Sequence, residues 1–218
     1  MEEKSMPGQR NPVYGIVQRQ RLNAIFKELF RKSIHICSSF IPFFLKLAYW
    51  PVIGLLVFAL IIYSVSEILR SKNIEIPLIS KVTEIAARKR DENRFVLGPV
   101  TLVCGIIAAA LLLPLDCARV GIFALAFGDG LASLMGKLFG KITIPGAHGK
   151  TAAGSLTCFF AVFITTFCCC QNTLISLIVA LCAMFIEILP LADFDNLIIP
   201  PAIGLLFSLL SAGTLVSG

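Results

Sequence analysis

Asp129 is the residue in this chain whose position most needs a chemical reason. It sits near the middle of an apolar stretch, VGIFALAFGDGLASLMGKLFG, about ten residues from either end. An ionisable group at that depth is costly unless it meets a cavity, a partner or a metal ion. Beside it, Gly128, Ala132, Gly136 and Gly140 recur at steps of four, which on a helix makes one strip almost without side chains. Such a strip suits close helix packing. It also suits a surface where a phosphate chain approaches backbone, with Lys137 and Lys141 beside it.

Two further polar sets belong with it. The segment KITIPGAHGKTAAGS places Gly146, Gly149, Lys150 and Thr151 in a short loop. Glycine backbone, a lysine and a hydroxyl supply the N–H donors and mobile positive charge that a polyphosphate needs. The spacing is not that of a Walker A loop. The second set is Asp193, Asp195 and Asn196, with Glu187 upstream. Carboxylates there could hold a Mg²⁺ that bridges phosphates, or simply form a polar turn. Arg31, Lys32 and His35 stand where the first apolar run begins, as headgroup anchors or as phosphate contacts. Glu67 and Glu92 complete the candidate set.

The elements that must position these groups are membrane helices. Of 218 residues, 57% are hydrophobic and 15% charged, with a mean hydropathy of +0.87. A water-soluble domain of this size cannot cover so much apolar surface, whereas a bilayer solvates it. The expectation is an all-α polytopic bundle of about seven spans, near 34–50, 51–69, 96–115, 118–139, 152–171, 173–191 and 197–216. Pro51 divides the first two, Pro114 and Asp116 the next pair, and Gln171-Asn172 the fifth from the sixth. The chain divides into a basic tail, 1–32, and a transmembrane catalytic domain, 33–218. Leu22, Ile25, Phe26 and Leu29 recur at helical spacing within the tail, which fits an interfacial helix on an anionic membrane or a solvated helix leading into the first span.

The net charge of +6 is concentrated before residue 33 and between 70 and 94. Charge gathered beside apolar runs is a topology signal more than a nucleic-acid one. It puts the N-terminus and the loops 70–95, 140–151 and 192–196 in the cytoplasm, where nucleotides are found. No cleavable leader is expected, since the first apolar run starts too late. Seven of the eight cysteines lie in apolar runs and read as small apolar residues.

These pieces, in this order, resemble the CTP-dependent membrane lipid kinases: polyprenol and dolichol kinases, phytol kinase and the fungal-type diacylglycerol kinase. The likeness spans most of 30–205 and rests on RKSIH, SEILR, GDGLASLMGKLFGK, GKTAAGS and the stretch from Glu187 to LADFDNLIIP. It implies phosphoryl transfer from CTP to a membrane lipid alcohol, with Mg²⁺, by an integral membrane enzyme; the charge pattern turns its site to the cytoplasm, and the short chain without long extensions suggests a prokaryotic plasma membrane. The matched positions imply that Arg31, Lys32 and Lys150 contact phosphate oxygens. Gly128, Ala132, Gly136, Gly140, Lys137, Thr151 and Gly154 border the nucleotide. Asp195 and Asn196 help hold metal or nucleotide, and Asp129 binds Mg²⁺ or accepts the hydroxyl proton. Ala153 stands where many polyprenol kinases have Glu, which favours diacylglycerol as acceptor. Phosphatidate cytidylyltransferase shares the glycine pattern but carries a C-terminal signature missing here. An ion-coupled transporter is the alternative of another class, and the chain shows no inverted repeat.

Overall fold

The computed structural model describes residues 12–72, 95–147 and 149–216; Glu92, and with it most of the basic loop 70–95, lies outside the described residues. Helix α1 runs from Pro12 to Cys37, followed by a single 3₁₀ turn, Ser38–Phe40, and the short α2, Ile41–Leu47. Then come α3, Tyr49–Ser71, and α4, Gly98–Leu112. Helix α5, Leu115–Phe139, is interrupted at Ala124–Asp129 by a π-helical stretch. Helices α6, Ala152–Cys170, α7, Thr173–Ile188, and α8, Asp195–Val216, complete the chain. The one β-type pairing among the described residues is an isolated bridge between Thr143 and Thr151.

Four of these helices, α3, α5, α6 and α8, are long and apolar enough to cross a membrane, whereas α4 and α7 are shorter apolar helices. The expected first span differs from what is observed. Helix α1 continues unbroken across residues 32 and 33, and the apolar run 34–50 is divided between its last turn, the 3₁₀ turn and α2. The break before α3 falls at Ala48 (φ −150°, ψ 78°), and not at Pro51. Proline lacks an N–H and has a fixed φ, both harmless in a first helical turn, so Pro51 opens α3 instead of separating it. Asp195 and Asn196, expected in a turn, form the first turn of α8.

The outer surface is apolar. Phe43, Trp50, Leu55, Phe58, Phe160 and Leu209 are all exposed, as a lipid-facing surface requires. The core is built from large aliphatic residues such as Leu45, Ile106, Ile122, Leu125 and Ile203, with glycines where helices come closest. A Cβ on Gly105 would lie 2.2 Å from the Asn196 carbonyl oxygen, and one on Gly121 would lie 2.0 Å from that of Pro200. Helix α8 therefore packs backbone to backbone on α4 and α5. Pro200 has no N–H to offer the Asn196 carbonyl four residues earlier, and the carbonyl turns to the bare Cα of Gly105. Helix α3 is fastened to α4 at both ends. Tyr49 donates to the Ala110 carbonyl at 2.7 Å, and Glu67 accepts from the Val96 N–H at 2.8 Å.

Candidate functional site

Helix α1 presents Glu28, Lys32 and His35 on one face, at spacings of four and three, and all three are buried. Arg31 flanks them. The facing side of α5 carries Asp129, Ala132, Ser133, Gly136 and Lys137, again at helical steps. The π-helical stretch ends at Asp129. A wider turn of this kind inserts an extra residue into the helix and re-aims the side chains that follow it, and such turns concentrate at functional sites.

The loop from Gly140 to Thr151 folds back on itself. The Ile144 N–H donates to the Lys150 carbonyl at 2.8 Å and the Ala152 N–H to the Ile142 carbonyl at 3.0 Å. Gly146 and Gly149 have φ of 79° and 86°, left-handed values that glycine adopts without strain. The result is to hold Lys150 and Thr151 beside α5. Thr151 caps α6, its Oγ1 accepting from the Gly154 N–H at 3.2 Å. Beyond α7, Ala192 takes the uncommon left-handed conformation, with φ 58°, and turns the chain into α8.

These elements enclose a cavity of about 520 Å³. It is lined by Glu28, Arg31, Lys32, Asp129, Ala132, Ser133, Gly136, Lys137, Gly149, Lys150, Thr151, Gly154, Glu187, Pro190, Ala192 and Asp195. Segments that are distant in sequence thus meet in one place. Most of the charges in it are paired, and Asp195 accepts from the Asn196 N–H at 2.8 Å. Lys32 bonds to the Asp129 carboxylate, and His35 Nδ1 lies 3.2 Å from the same oxygen but off the hydrogen-bonding line. Arg31 and Lys137 both meet Glu28. Lys150 Nζ is 3.5 Å from Glu187, which also accepts from Ser155 Oγ at 3.0 Å.

The cations are graded in depth. The Lys137 side chain is 46% exposed, Lys150 22%, Arg31 15% and Lys32 3%. Exposure therefore falls from Lys137 at the mouth to the Lys32–Asp129 pair at the floor, with the acids Glu28, Glu187 and Asp195 lining the same cavity. The N-terminal ends of α6 and α8 also open on this cavity, through Thr151, Gly154 and Asp195, and add the partial positive charge of helix starts.

No family model, no curated protein and no solved structure matches this chain. What the cavity can do follows from its own residues.

Several expected site residues lie elsewhere. Glu67 pairs with Arg70 and the Val96 N–H, where it fastens α3 to α4. Asn196 is buried behind Asp195, its Nδ2 reaching Thr101 Oγ1 at 3.4 Å. His35 touches Asp129 without lining the cavity. The small-residue strip packs α5 on α6. A Cβ on Gly128 would meet Val162 at 2.8 Å, one on Gly136 would meet Thr151 Oγ1 at 2.9 Å, and one on Gly140 would meet the Thr151 side chain at 2.5 Å. Ala132 and Gly136 also border the cavity, whereas Gly128 and Gly140 do not.

Glu28 and Ser133 were not expected. Glu28 is the only acid between Lys4 and Ser66 and lies one helical turn before Lys32, which is the signal that marks it. Burial alone would raise its pKa, but Arg31, Lys137 and Ser133 together outweigh that and hold it at about 2.

Among the described residues no group of three or more His, Cys, Asp or Glu side chains converges as a metal site. Asp129 and Asp195 nevertheless line the same cavity. Mg²⁺ at nucleotide sites takes one or two carboxylates and completes its shell with phosphate oxygens and water. This donor set fits a Mg²⁺ that arrives with a polyphosphate better than one held by protein alone.

Proposed function

We propose that this chain is a CTP-dependent lipid kinase that moves the terminal phosphoryl group of CTP to the hydroxyl of a membrane lipid. The observation that carries the reading is the gathering of Arg31, Lys32, Lys137 and Lys150 with Asp129 in one cavity, ordered from mouth to floor. The ordered motif resemblance supplies the substrate class, and Ala153 favours diacylglycerol over a polyprenol or phytol. Helices α3, α5, α6 and α8, with the shorter α4 and α7 and the α1–α2 region, then form about seven crossings, N-terminus in the cytoplasm.

In this reading the nucleotide enters at Lys137 and its phosphate chain runs inward past Arg31 and Lys150. Its terminal phosphoryl group reaches Lys32. A phosphate oxygen competes with Asp129 for Lys32, and as the ammonium turns to phosphate, the carboxylate is released to face the acceptor hydroxyl. The lipid oxygen bonds to the terminal phosphorus, the bond from that phosphorus to the bridging oxygen breaks, CDP departs, and Asp129 takes the hydroxyl proton. Such a transfer depends on positioning and charge neutralisation more than on covalent chemistry. A bound Mg²⁺ would neutralise further phosphate charge, with Asp195 and Asp129 as the carboxylates within reach.

Product analysis tests the reading. Purified protein given CTP, Mg²⁺ and diacylglycerol is expected to yield CDP and a lipid monophosphate. Given CTP and phosphatidate, formation of pyrophosphate and CDP-diacylglycerol would instead show the cytidylyltransferase reaction. Ion-dependent solute uptake in proteoliposomes, without CTP turnover, would point to a transporter.

A further inference from the structure

Glu28 carries two of the cavity's cations at once. Arg31, from its own helix, and Lys137, from α5, both bond to its carboxylate, and Ser133 Oγ donates to it at 2.6 Å. An ionised carboxylate has enough acceptor sites for all three. The acid is 4% exposed against 46% for Lys137 and 15% for Arg31, so both cations are more open to solvent than the carboxylate that holds them. Tying α1 to α5 could be done by a single pair. Here one acid instead sets the relative position of two long cationic side chains from different helices.

We infer that Glu28 is a positioning residue for the donor polyphosphate. It fixes Arg31 and Lys137 at the spacing at which both meet phosphate oxygens, without itself touching the nucleotide. Two like charges would otherwise repel, and each side chain would lose rotamer freedom only when phosphate bound. A carboxylate between them removes both costs beforehand. This rests on the kinase reading of the same cavity.

The test uses the full chain in lipid nanodiscs and compares wild type, Glu28→Gln, Lys137→Met and the double variant. Glu28→Gln is expected to lower kcat/KM for CTP by about 10- to 100-fold, the effect of losing charge-assisted hydrogen bonds, while KM for the lipid stays within about twofold. Added to Lys137→Met, it should cost less than it does in the wild type, because only the Arg31 contact is then left to lose. Equilibrium binding of Mg²⁺–CTP gives a readout apart from turnover, and Kd should rise by about tenfold. If Glu28→Gln does not fold, Ser133→Ala removes one of the three contacts and should show the same pattern at about threefold. Unchanged CTP parameters, or an equal rise in the lipid KM, would overturn the inference. Wild-type protein that binds Mg²⁺–CTP but transfers nothing would overturn the kinase reading, while the Kd comparison still decides the role of Glu28. Wild-type protein that does not bind the nucleotide would overturn both.

Discussion

Asn at position 129 keeps the shape of the side chain and removes its charge, leaving Lys32 at the cavity floor without its carboxylate. The Lys32 and Asp129 side chains are 3% and 7% exposed, so solvent screens the pair little. Breaking a buried pair by removing one partner costs about 3–5 kcal/mol, a large part of a typical stability of about 5–15 kcal/mol. Lys32→Met is expected to cost a similar amount, since it leaves the Asp129 carboxylate buried with His35 Nδ1 3.2 Å away but not hydrogen-bonded to it. Lys32→Met combined with Asp129→Asn leaves no charge uncompensated and should recover about 2–4 kcal/mol relative to the sum of the single losses. Unfolding of the four proteins in mixed micelles, followed by circular dichroism, measures that coupling. Turnover is expected at background in every variant lacking Asp129, including the one whose stability is restored. Single losses that add to within about 0.5 kcal/mol would show that the pair is not a coupled unit. Near-wild-type turnover in Asp129→Asn would remove the centre of the mechanism.

Two further outcomes follow from the packing and the charges. Glu28 has its pKa lowered from an ordinary 4.5 to about 2. A lowered carboxylate pKa stabilises the fold above the unfolded value, and that contribution is lost as pH falls through the folded value. Wild type should therefore exceed Glu28→Gln by roughly 3 kcal/mol at neutral pH, with the difference fading between about pH 4.5 and 2; a gap independent of pH in thermal unfolding would contradict this. Gly121→Ala places a methyl group 2.0 Å from the Pro200 carbonyl oxygen, where backbone and not a flexible side chain must yield. It should destabilise by about 1–3 kcal/mol or prevent accumulation of folded protein, whereas Gly54→Ala, with open space around it, should be neutral in the same unfolding assay.

Helix positions were legible where apolar runs ended in strong breaks. Pro114 and the Gln171-Asn172 turn bound helices as the sequence indicates, since a proline ring or a left-handed residue stops a helix locally. The region before Pro51 was not legible, because hydropathy records that residues 34–50 avoid water but not whether they form one helix. The site was legible in its isolated polar residues. Asp129, Lys150, Arg31, Lys32 and Asp195 stand out against an apolar background, and the fold brings all five to one cavity. Spacing alone could not separate packing from ligand contact along the glycine strip. That depends on which helix lies opposite, and α6 covers most of it. Glu28 was hidden for a related reason. In a basic helix it resembled an ordinary surface charge until the helix facing it was known.

Transfer of label is the most direct measurement. Purified full-length chain is incubated with Mg²⁺, CTP labelled at the terminal phosphate, and diacylglycerol, a polyprenol or phytol in turn, with terminally labelled ATP in parallel. The account predicts label in a lipid monophosphate with CTP as donor, strongest with diacylglycerol, and none with Asp129→Asn. Label that leaves only as pyrophosphate, or that never enters a lipid from either donor, would contradict it.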